Sequence, residues 1–155
     1  MEFASTISPR EAARQIADII RKNPDRYNQE SYFYIPALDD RSNRDVSLSV
    51  LRMPENTCGS TECVAGHALM LAAPPTYRFN SRGLLLYNDY GDDIGIDEYA
   101  MQVLDIDDDQ SDWLFDALRC KCEVLWALDN IADGIGWEAY GEIPESYTDV
   151  CTTCH

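Results

Sequence analysis

Nothing in this sequence constrains the fold as tightly as the segment from Asn56 to Ala72, which passes from a polar turn into Val64-Ala65-Gly66-His67-Ala68-Leu69-Met70-Leu71-Ala72. Val64, Ala68 and Leu71 recur at helical spacing. Ser60 or Thr61 can supply a capping oxygen, and Glu62 stands where a helix N-terminus favours negative charge. The pattern predicts a buried helix over about residues 61–72. Ala65, Gly66 and Ala68 leave its middle almost bare of side chain, and an interior glycine costs a helix up to about 1 kcal/mol relative to alanine. That cost makes sense where a second element packs closely, so the core is expected to be built across this helix.

The flanking elements read from local signals. Ser8-Pro9-Arg10-Glu11 is a capping box with proline at the first helical position, and it predicts an amphipathic helix that buries Ala12, Ala13, Ile16, Ile19 and Ile20 and stops at Asn23-Pro24. Tyr27, Tyr32, Phe33 and Tyr34 form an aromatic cluster suited to a sheet edge or a lid on the core. Val46, Leu48 and Val50 alternate with Ser47 and Ser49, as in a half-buried strand ended by Pro54. Pro74-Pro75 stops the central helix, and Asn80-Ser81-Arg82-Gly83 joins two apolar runs as a hairpin turn. Asp89 to Gly95 reads as an acidic loop, Asp97 to Leu104 as a short helix, and the region from Asp108 as a longer one that Arg119-Cys120-Lys121-Cys122 can interrupt. Gly134 followed by Ile135 is the pattern of a left-handed C-cap.

The charge is lopsided. Residues 1–52 carry eight basic and eight acidic side chains, so the whole net charge of −16 sits on the last two thirds of the chain. Between Gly83 and Leu118 there are eleven acids and no base. Such a surface repels a phosphate backbone, because nucleic-acid affinity rests on counterion release by Lys and Arg. No segment reaches the roughly 18 apolar residues of a membrane span, and the first twenty residues hold no uninterrupted apolar run. The expected setting is cytoplasmic, and the six cysteines are expected as free thiols or metal ligands rather than disulfides.

Cys58, Cys63 and His67 have spacings that suit three zinc ligands, with Cys151, Cys154 or His155 as a fourth if the tail folds back. The simpler alternative is a pair of small buried thiols beside a partly buried histidine. Cys120 and Cys122, two apart on a continuous helix, would not face each other, so a second cluster with Cys151 and Cys154 would require a helix break. Cys151-x-x-Cys154-His155 matches a haem-attachment pattern without the export signal that such chemistry needs. Asp105-x-Asp107-x-Asp109 imitates a calcium loop, but Gln110 replaces its glycine, and Asp107 with Gln110 reads better as a capping box. Cys58 near a helix N-terminus, with His67 or His155 as base, is the arrangement a thiol enzyme would use.

Cys58-Gly59-Ser60-x-x-Cys63-Val64-Ala65-Gly66-His67-Ala68 resembles a motif in a family of small proteins from actinobacteria, other bacteria and their phages. The opening helix into Asn23-Pro24-Asp25-Arg26-Tyr27, the aromatic segment before the first cysteine, and Leu104-Asp105-Ile106 leading into Asp109-Gln110-x-x-Trp113-Leu114-Phe115 are similar as well. The resemblance implies a bacterial or phage cytoplasmic setting and carries no activity with it.

Together these features predict an α+β protein. A single domain over residues 1–143 is expected, with four or five helices around the central helix, a small antiparallel hairpin, and a loosely held cysteine-containing tail over 144–155. The expected function is an acidic module that binds a basic protein partner, for example an inhibitor that imitates nucleic acid on a host defence or DNA-handling protein. Its binding residues would be Asp92, Asp93, Asp107, Asp108, Asp109 and Asp112. The rival expectation is a thiol- or zinc-dependent enzyme centred on Cys58, Cys63 and His67.

Overall fold

The computed structural model of the chain describes residues 3–23, 33–34, 46–52, 61–80, 85–116 and 119–148. Helix α1 (Pro9–Lys22) begins as its capping residues require: Ser8 Oγ accepts from the Glu11 amide at 3.2 Å, and Pro9 occupies the first turn. Glu11 turns towards Arg14 and Gln15 instead of reaching back, so only half of the capping box closes. The helix buries Ala12, Ala13, Ile16, Ala17 and Ile20.

Two antiparallel ladders follow. Strand β1 (Phe33–Tyr34) pairs with β3 (Thr61–Glu62), so Phe33 lies opposite Glu62 and Tyr34 opposite Thr61. A four-stranded sheet is ordered β2 (Val46–Ser47), β4 (Arg78–Asn80), β5 (Leu85–Tyr87), β6 (Asp93–Gly95). The expected hairpin is there, with Phe79 opposite Leu86. Asp93–Gly95, read from sequence as loop, extends the sheet by pairing with β5, and its middle residue Ile94 is buried.

The strand expected over Val46 to Val50 lasts two residues and becomes the helical turn α2 (Leu48–Leu51). Leu48 is buried while its amide donates to the Tyr77 carbonyl at 2.8 Å, and the Ser49 amide donates to Pro75. The turn delivers Arg52 to the end of the central helix, where Nε donates to Met70 O at 2.6 Å and Nη2 to Leu69 O and Ala73 O. Leu69 O also accepts from the Ala73 amide, whereas Met70 O and Ala73 O lie where a helix leaves acceptors orphaned at its C-terminus, and a cation there also suits the helix dipole.

The central helix itself, α3 (Val64–Ala72), is shorter than the sequence suggests. Thr61 and Glu62 belong to the β3 ladder, and Cys63 is the N-cap. Cross-strand pairing captures those backbone groups and displaces the cap expected from Ser60 or Thr61. Val64 to Leu69 are all buried, as expected of a helix that is apolar all round. Helix α4 (Ile96–Leu104) packs along it and buries Ile96, Tyr99, Ala100, Val103 and Leu104. Tyr99 donates to Ala4 O at 2.7 Å, and the Ala4 amide donates to Tyr77 Oη.

The longer helical region is two helices, α5 (Asp108–Leu114) and α6 (Lys121–Asp133). The Asp107–Gln110 capping box closes in both directions at the start of α5. Gly134, at φ 70°, ends α6 in the left-handed region. All three tryptophans meet between these elements: the rings of Trp113, Trp126 and Trp137 lie 5.5–5.9 Å apart, with the Arg119 guanidinium 4.3 Å from the Trp113 centroid. A last turn, α7 (Glu145–Thr148), packs on α6. The chain is thus an α+β protein in which α1, α3, α4, α5, α6 and the sheet share one buried apolar cluster.

Candidate functional site

Nine of the eleven acidic side chains between Asp89 and Asp116 are exposed, Asp92 and Asp97 being half-buried. The turn between β5 and β6 carries the first group. Asn88, itself buried, braces that turn: its Oδ1 accepts from the Tyr90 and Asp92 amides at 3.0 and 2.9 Å, and Nδ2 donates to Asp92 Oδ2 at 3.2 Å. Gly91, at φ 83°, takes the left-handed position of the connection. Tyr90 is thereby held 87% exposed between Asp89 and Asp92, and Asp93 follows exposed on the strand.

The second group begins where α4 ends. Asp107, Asp108, Asp109 and Asp112 are all exposed. Asp107 accepts from the Gln110 amide at 2.8 Å as N-cap, and Asp108 and Asp109 occupy the first turn of α5, where the dipole favours them. Asp108 and Asp112 are one turn apart on the same helix face. The six predicted binding residues thus form two groups at opposite ends of α4, whose nine residues span about 13 Å. Tyr90 joins the predicted residues on this surface, and its sequence signal is Asn88 with Gly91 three residues on, a turn pattern.

Two of the acidic triplet Asp105, Asp107 and Asp109 serve helix ends. Asp105 ends α4 at φ 53° and Asp107 caps α5. Among the described residues no three His, Cys, Asp or Glu side chains converge as a metal site.

Cys63 and His67 are 2% and 1% exposed. Burial pushes the Cys63 thiol up to about 11, against the opposite pull of the Gly66 and Ala65 amides at the start of α3. A thiol so placed is protonated at neutral pH and is a poor nucleophile. Cys58, Cys151, Cys154 and His155 lie outside the described residues, as do Tyr27 and Tyr32.

Two cysteine expectations are corrected. Cys120 is disulfide-bonded, to a residue outside the described ones, whereas thiols or metal ligands were expected. Cys120 and Cys122 also face each other, with their sulfurs 3.6 Å apart, because Cys120 is the extended N-cap of α6 and not part of a continuous helix.

Among the described residues no helix is long and apolar enough to cross a membrane. No family model, curated protein or solved structure matches the chain.

Proposed function

We propose that this chain is a small acidic binding module of bacterial or phage origin that engages a basic protein surface, as an inhibitor occupying a nucleic-acid site would. One observation carries the reading: apart from Asp92, which accepts from Asn88, and Asp107, which caps α5, the acids of the β5–β6 turn and of the start of α5 are exposed with no side-chain partner among the described residues. Asp89, Asp93, Glu98, Asp105, Asp108, Asp109 and Asp112 make no ion pair among the described residues, and Asp116 pairs with Arg119 at 3.6 Å. A concentration of one sign of charge steers encounter with a basic groove and disfavours other partners. The rival reading is a thiol- or zinc-dependent enzyme centred on Cys58, Cys63 and His67, of which Cys63 and His67 are buried on the central helix and its cap and Cys58 lies outside the described residues.

The test is a variant in which Asp92, Asp93, Asp107, Asp108, Asp109 and Asp112 become Asn. Asparagine also caps helices, so the Asp107 cap survives and the melting temperature should hold or rise. Native protein on a column should retain a partner from host lysate at low salt and release it as salt rises, since exposed charges are screened over about 8–10 Å at physiological ionic strength. Duplex DNA should compete for that partner. Retention of the same partner by both proteins, or of none by the native one, would refute the acidic interface.

A further inference from the structure

A cleft of about 300 Å³ opens between the start of α1, the link from α4 to α5 and the end of α6. Its apolar lining includes Leu104, Ile106, Ile131, Ile135 and Trp137, and Ile135 is 56% exposed at its rim. Two opposite charges share this lining, Arg10 and Asp105, and neither forms an ion pair with the other or with any described side chain.

Both are held in place by the backbone. Arg10 Nε donates to Ala132 O at 3.2 Å, and its guanidinium lies so close over Gly134 that a Cβ there would meet Nη2 at 2.6 Å. The terminal nitrogens have no acceptor among the described residues. Asp105 is set by its left-handed backbone, φ 53°, at the end of α4. Gln110 Nε2 donates to Trp137 O at 2.8 Å and ties the tryptophan side of the cleft to α5.

We propose that this cleft binds a free apolar α-amino acid, with its carboxylate on Arg10, its ammonium on Asp105 and its side chain against the Ile131–Trp137 floor. A volume at the small end of ligand pockets suits a molecule of that size, and a zwitterion is complementary to a cation and an anion in one lining. The site is independent of the proposed acidic interface. Because Arg10 and Asp105 are exposed, each contact is screened and affinity in the millimolar range is expected.

The probes are L-leucine, N-acetyl-L-leucine, which lacks the ammonium, and 3-methylbutylamine, which lacks the carboxylate. Binding is read by ligand-observed NMR and by tryptophan fluorescence, since Trp137 lines the cleft. Native protein should saturate with L-leucine and bind each of the other two about threefold to fivefold more weakly. Asp105→Asn keeps a residue tolerant of the left-handed region, so it should fold normally while losing the preference for leucine over its N-acetyl form. Arg10→Gln should lose the preference over the amine, and an unchanged Asp105→Asn melting temperature separates site from fold. No saturable binding of L-leucine by native protein, equal binding of all three probes, or an undiminished preference in Asp105→Asn would overturn the proposal.

Discussion

Tyr147 donates its hydroxyl to Asp129 Oδ2 at 2.6 Å, and through this bond the last described helical turn is fastened to α6. The same carboxylate accepts from both terminal nitrogens of Arg21, at 2.9 Å on Oδ1, so α1, α6 and α7 meet at one group. Burial alone would raise the Asp129 carboxyl, but the Arg21 and Tyr147 hydrogen bonds outweigh it and hold it below its ordinary value. Burial and the bond to Asp129 push Tyr147 up to about 12.

The pH dependence of this junction follows. Tyr147 titrates higher in the folded chain than at its unfolded value near 10, so its contribution is complete below about pH 10 and is lost as pH rises through about 12. The Asp129 contribution is complete above its unfolded value near 4 and is lost as pH falls through the depressed folded one. Tyr147→Phe should cost about 1 kcal/mol at pH 8, since the site is partly exposed, and should remove part of the alkaline loss. Chemical denaturation at pH 8 and pH 11 measures both.

Arg52 should be the most sensitive of the described basic residues. Arg52→Met leaves the carbonyls of Met70 and Ala73 without their side-chain donor and Leu69 O with the Ala73 amide alone, and a loss of about 2–3 kcal/mol is expected. Arg52→Lys, which presents one point charge in place of a fork, should recover part of that loss. Urea unfolding followed by the fluorescence of the tryptophan cluster reports both.

The glycines at Gly134 and Gly95 should respond in opposite directions. Gly134→Ala places a Cβ in the left-handed region and against the Arg10 guanidinium, and should cost about 1–2 kcal/mol. Gly95 is the N-cap of α4, with extended backbone, open space around it and no side-chain cap, so Gly95→Ser should add a few tenths of a kcal/mol. Thermal melts of the two variants beside the native chain decide the matter.

Thiol chemistry gives a further test. Denatured without reductant, the protein should titrate at least two fewer thiols than its six cysteines, because Cys120 is in a disulfide, and all six should appear after reduction. Before denaturation Cys63 should resist alkylation at neutral pH, being 2% exposed and protonated. Mass mapping after alkylation identifies each site.

What the sequence by itself determined lies in signals that act within one turn of backbone. Ser8 with Pro9, Asp107 with Gln110, and Gly134 satisfy or release backbone groups three or four residues away, and α1, α5 and α6 begin or end there. The apolar face of α4 and, except that Ala17 is buried and Ile19 only half-buried, that of α1 follow from period, and the hairpin of β4 and β5 from the turn residues between two apolar runs, whereas its register of Phe79 against Leu86 is seen only in the fold. The tertiary structure decided what depends on distant partners. Thr61 and Glu62 left the helix because Phe33 and Tyr34 offered a ladder, and Leu48 left its strand where Tyr77 accepted its amide and Arg52 found the end of α3. Asp93–Gly95 became a strand because β5 had an open edge beside it. The same division holds for function: exposed acids were legible as a run of aspartates, whereas the placing of Arg10 and Asp105 in one cleft required α1, α4 and α6 to pack. Capping and periodicity are properties of neighbours in the chain, while pairing, burial and clefts are made by residues that only folding brings together.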